Sequence, residues 1–73
     1  MAPADLQLLH LMGSNIRKLR KENRILQNIL AQKCQIERAY LSRIESGQVN
    51  ASVLTMLKIA KALNVDVADF FRS

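Results

Sequence analysis

The chain has 73 residues, of which 49% are hydrophobic and 23% charged, and its formal net charge is +5. That length allows one small domain, residues 1–73, which buries only about 60% of the surface its unfolded chain exposes, and the composition is that of a globular chain. One cysteine (Cys34) and one histidine (His10) exclude an internal disulfide, a multi-cysteine or His-rich metal site and a recognisable serine–histidine pair, so no metal or cofactor is expected and an enzyme is the weakest class.

Two glycines and one proline leave little punctuation for strands, and the apolar spacing is helical along the chain. Pro3 and Asp5 suit the first turn of a helix. Leu6, Leu9, Met12, Ile16 and Leu19 continue it at a three- to four-residue spacing, with residues 1–12 as an N-terminal extension that is core, dimer interface or partly tag-like. Gly13 marks a break or a close contact, and Asn23, tolerant of the left-handed conformation, ends the helix. A short second helix is read over 27–34, with Ile29, Leu30 and Cys34 inward. A third runs over 38–46, with Leu41 and Ile44 inward, and Gly47 stops it. Ser52 caps a fourth helix whose apolar side is Val53, Met56, Leu57, Ala60 and Leu63, and Asn64 ends it. Asp66 caps a last short helix, with Asp69 completing a box-like arrangement and Phe70 and Phe71 packing back. The expected architecture is all-α, a five-helix orthogonal bundle without repeats.

The charge is localised. Residues 16–45 hold eight basic side chains and three acidic ones, while the rest of the chain balances three against three. Such a surface suits a polyanion, nucleic acid or an anionic membrane, or else is a solvated face that keeps the protein in solution. No apolar run approaches the roughly 18 residues that span a bilayer. No Lys or Arg precedes Leu6 and the cluster that follows is broken by Gln7 and His10, so a targeting signal is not expected; a lone thiol suits a reducing cytoplasm. Within the basic window, a short helix, a turn of three or four residues and another short helix describe a helix-turn-helix unit. On its second helix Arg38, Ala39, Ser42 and Arg43 leave polar or small groups outward while Leu41 and Ile44 anchor it. A major groove about 12 Å wide admits such a helix, and arginine bonds bidentately to guanine O6 and N7.

Residues 15–71 resemble the helix-turn-helix domain of the phage-repressor (Xre/Cro-like) class. The matching pieces are Ile16-Arg17-Lys18-Leu19-Arg20, Gln27 with Leu30-Ala31, Tyr40-Leu41-Ser42-Arg43-Ile44-Glu45-Ser46-Gly47, and Leu57-Lys58-Ile59-Ala60-Lys61-Ala62-Leu63-Asn64-Val65. Within that class Arg38-Ala39-Tyr40-Leu41-Ser42 and Asn50-Ala51-Ser52 are most similar to the controller proteins of restriction–modification systems, small dimeric regulators that bind operator DNA. The fold implied is lambda-repressor-like. The sequence departs from the class at four places. Arg24 and Gln35 stand where glycine is usual, Leu26 replaces the Ser or Thr that caps the second helix, and Glu37 replaces a small hydroxyl residue before the third, where a carboxylate is still expected to cap.

The resemblance implies that Gln27 contacts phosphate and that Glu45 pairs structurally with Arg20. Arg38 is the first candidate for base readout, with a phosphate clamp as its alternative. Arg43 reads a base or grips the backbone, and Ala39 and Ser42 face a thymine methyl or a base edge. Tyr40 bonds a phosphate or packs at the edge of the unit, and Lys33, Ser46 and Gln48 are placed at flanking phosphates. Three aromatics, with Phe70 and Phe71 in the core, give no stacking platform for single strands, so duplex DNA is the expected partner. Cys34 reads as a small core residue and His10 as surface or dimer rim. Apolar residues all round the last two helices, among them Leu54, Met56, Ile59, Val65 and Val67, exceed what one face can hide, so a homodimer is expected, on a palindromic operator with half-sites about 34–36 Å apart. With no ligand-binding domain after Ser73, occupancy is expected to follow protein concentration, without a small-molecule ligand. The expectation is a cytoplasmic, sequence-specific transcriptional regulator, with a phage-type repressor or an antitoxin-like interaction module that also binds DNA as the alternative. A membrane-surface helix around 16–25 is a third class.

Overall fold

The computed structural model describes residues 3–73 in four α-helices and a terminal 3-10 helix. These are α1 (Pro3–Glu22), α2 (Gln27–Lys33), α3 (Arg38–Glu45), α4 (Val53–Leu63) and η1 (Val67–Phe71). Met1 and Ala2, the start of the expected N-terminal extension, lie outside the described residues. No strand occurs among the described residues, so the class is all-α as read from the sequence. The fifth element is a 3-10 turn instead of an α-helix. The tighter 3-10 ladder is common in pieces this short, and the Asp69 amide bonds back three residues to the Asp66 carbonyl at 2.9 Å.

Helix α1 runs unbroken through Gly13. A Cβ there would stand 2.2 Å from the Ile44 carbonyl oxygen and 2.6 Å from that of Glu45, so the glycine is what lets α1 lie directly on the last turn of α3. Along the same face Leu9, Met12 and Ile16 are buried. Helix α1 packs on α3 and η1, α2 packs on α3, and α4 touches α1, α2 and η1. Leu30, Leu41, Ile44, Ile59 and Phe70 close the core between them. The Asn15 amide ties the chain end to α1 by donating to the carbonyls of Phe70 at 2.9 Å and Arg72 at 2.8 Å.

All four α-helices end alike. Arg24, Gln35, Gly47 and Asn64 adopt left-handed φ of 56°, 58°, 75° and 57°. At each, the amide of that residue and the next bond back to the last-turn carbonyls, Arg24 to Lys21 and Ile25 to Arg20 in α1, Gln35 to Gln32 and Ile36 to Ala31 in α2. The left-handed residue closing α1 is therefore Arg24 and not Asn23, whose side chain instead donates to the Leu19 carbonyl at 2.7 Å. Helix α2 stops at Lys33 and α3 at Glu45, each one residue short of the expected end, because Cys34 and Ser46 serve as caps.

The N-termini differ. Ser52 accepts from the Thr55 amide at 3.1 Å, and Asp66 and Asp69 form a reciprocal capping box. Leu26 and Glu37 make no side-chain cap bond, so the carboxylate expected to cap α3 does not. The inward sets shift as well. Ile29, Val53, Leu57 and Phe71 are exposed, while Ala60 and Leu63 are buried as expected and Ile59 joins them in the buried stripe of α4. Cys34 is buried, and that burial raises its thiol pKa above the ordinary 9.0, with Lys58 opposing the shift.

Candidate nucleic-acid interface

Helix α3 is held by Leu41 and Ile44, both fully buried, and presents the opposite face outward. Arg38, Ala39 and Arg43 are exposed and Ser42 is half-buried, four residues that share one side of the helix at spacings of one, four and five. Among the described residues neither Arg38 nor Arg43 enters an ion pair. Tyr40 is half-buried and packs against the core. At the far end of α3 the Ser46 hydroxyl donates to the Arg43 carbonyl at 3.2 Å, and Gln48 is exposed in the loop that follows.

One carboxylate of α3 ties it to both α1 and α2. Glu45 has a side chain with 0% exposure. Arg20 grips it with two bonds, Nε to Oε2 at 2.7 Å and Nη2 to Oε1 at 3.0 Å, and spends its Nη1 on the Ile25 carbonyl at 2.9 Å. The same Oε1 accepts from Gln27 Nε2 at 3.1 Å and from Arg17 Nε at 3.4 Å. A buried charge is tolerated only when paired and hydrogen-bonded, and here donors from α1 and α2 satisfy a carboxylate of α3. Gln27 thus has part of its amide committed inside the protein, which its position as an expected phosphate contact did not reveal.

Beside this junction lies an open cleft. Arg17, Arg20 and Lys21 of α1, Gln27 and Asn28 at the start of α2 with Leu26 before them, and Arg38 at the start of α3 line it, four cations of which Arg17 and Arg20 share the buried Glu45 behind the cleft. Arg17, Lys21 and Asn28 were not among the expected site residues. The signal was present for two of them, since Arg17, Arg20 and Lys21 recur at spacings of three and four on one helical face. Lys33 is not part of the cleft; it sits with Gln35 beside Lys58 and Lys61 at the α2–α4 junction. Among the described residues no group of three His, Cys, Asp or Glu is placed to hold a metal ion, and no helix is long and apolar enough to cross a membrane.

A helix-turn-helix family model, HTH_3, matches residues 16–70. The chain belongs to the helix-turn-helix family of transcriptional regulators. This helix-turn-helix regulator is similar to the control protein C.BamHI of Bacillus amyloliquefaciens, 39% identical over 64 residues that cover 82% of this chain and 79% of the relative. It is also similar to the immunity repressor protein of Bacillus phage phi105, 37% identical over 57 residues and 78% of this chain, of which it spans only 40%. Among solved structures, the restriction-modification controller protein C.AhdI from Aeromonas hydrophila matches with a TM-score of 0.83 and 33% identity, covering 86% of this chain and 96% of that one. The resemblance to phage repressors and restriction–modification controllers read from the sequence is therefore met in both sequence and fold.

Proposed function

We propose that this helix-turn-helix regulator acts as a homodimer that binds a palindromic duplex operator in a sequence-specific way, in the manner of a restriction–modification controller protein. The observation that carries the reading is the face of α3. Arg38, Ala39 and Arg43 stand in solvent, pinned from behind by Leu41 and Ile44, and Arg38 joins them to the cationic cleft. With α3 in the major groove, Arg38 reads guanine through O6 and N7. Ser42 and Arg43 follow one turn further along, and Ala39 leaves room for a thymine methyl. Gln27 and the cleft lie where the sugar–phosphate backbone passes, and such contacts fix register without reading sequence.

The second subunit supplies the second recognition helix. Val53, Leu54 and Leu57 on α4 are exposed together with Leu6 and Leu8 on α1 and Phe71 on η1, apolar surface that a symmetric partner would cover. Gel-shift titrations on duplex DNA at rising salt test the proposal. The logarithm of affinity falls linearly with that of salt, by about 0.9 for each phosphate neutralised. Absent or salt-independent duplex binding contradicts it.

A further inference from the structure

The three donors on Glu45 Oε1 are not equivalent. Arg20 is 11% exposed, makes two short bonds to the carboxylate and a third to a carbonyl, and has little freedom to leave. Arg17 is 47% exposed and reaches Oε1 through a single bond at 3.4 Å. One carboxylate balances one guanidinium, so the second leaves an excess positive charge in a cleft that Lys21 and Arg38 already make cationic. An exposed ion pair of that length is held weakly against water and salt. The planar fork of an arginine, by contrast, matches a phosphate bidentately.

We propose that Arg17 is a backbone-phosphate ligand held in reserve by Glu45: on duplex binding it leaves Oε1 for a phosphate oxygen, while Arg20 and Gln27 stay and keep the carboxylate satisfied. This rests on the duplex-binding reading above and extends it. Glu45 is then a positioning residue for the interface as well as a tie between helices. In the unbound protein its charge keeps the Arg17 side chain folded over the cleft and not extended into solvent. The exchange leaves no buried charge unpaired, because both oxygens retain Arg20.

The test compares wild type, Arg17→Ala, Arg17→Lys, Arg20→Ala and Lys18→Ala by duplex affinity against salt and by thermal melting. Lys18 is the control, an exposed α1 cation that lies with Glu22 and Asp69 away from the cleft. Arg17→Ala removes one phosphate contact from each subunit of the dimer, so it is expected to make the salt slope shallower by about 1.8 and to weaken binding about sixtyfold at 0.1 M salt. Its melting temperature stays near that of wild type, and Arg17→Lys regains the slope. Arg20→Ala lowers the melting temperature. An unchanged slope for Arg17→Ala, an equal loss for Lys18→Ala, or a melting temperature reduced as far as by Arg20→Ala overturns the assignment. If wild type itself binds no duplex, the functional reading fails and takes this inference with it; if wild type binds and only the Arg17→Ala result disagrees, the functional reading stands.

Discussion

Arg24 and Gln35 carry long side chains through a backbone region that side chains with a Cβ enter at a cost of about 1–2 kcal/mol. Gly47 holds the same conformation without that cost, and the His10 ring lies where its Cβ would be. The two non-glycine sites are where related sequences were expected to have glycine, so the chain keeps the backbone turn and forgoes the residue that suits it. Arg24→Gly and Gln35→Gly are each expected to stabilise the fold by about 1 kcal/mol, and each such increment raises the melting temperature of a domain this size by about 4–8 °C. Thermal denaturation followed by circular dichroism measures it. A fall in both variants would show that the native side chains make contacts worth more than the strain.

Between elements, the Glu45 carboxylate joins α1, α2 and α3, and it is here that the limits of the sequence are physical. Helix existence and most ends were readable because apolar period, Ser52, Asp66 and Gly47 act through neighbours in the chain. The pair Arg20–Glu45 was implied only by resemblance. Gln27 and Arg17 reach the same oxygen from residues 18 and 28 positions away, a convergence that no local pattern encodes. Lys33, the last residue of α2, lies beside Lys58 and Lys61 and outside the cationic cleft, a proximity to α4 that its place in the basic window does not encode. The buried stripe of α4 was legible at Ala60 and Leu63 but took Leu57 for Ile59, because that helix is apolar on several sides and periodicity alone did not separate the two. Removing the carboxylate strands Arg20 in a nearly closed site. Glu45→Ala is expected to lower unfolding free energy by about 3–5 kcal/mol, whereas Lys18→Ala changes it little. Urea denaturation compares them, and equal midpoints would contradict the role given to Glu45.

At the scale of the whole molecule, each copy of this chain carries one α3, and under the proposed function a helix reading a few base pairs cannot specify a unique site. The surface left over points to how this is met. Val53, Leu54 and Leu57 form an exposed apolar strip on α4, away from the residues that line the cationic cleft. Sedimentation of wild type is expected to give a dimer at micromolar concentration, and Leu54→Glu a monomer with the same helical spectrum. A monomeric wild type would remove the two-fold operator from the account.

The central claim is that α3 reads base edges through Arg38. Selection of bound sites from a random duplex pool, for wild type and for Arg38→Ala, tests it most directly. Wild type should enrich paired inverted half-sites about one helical turn apart, and Arg38→Ala should relax one position in each half-site by about 1–3 kcal/mol while the others persist. Identical enriched sites for both proteins, or no enriched sequence for wild type, would contradict it.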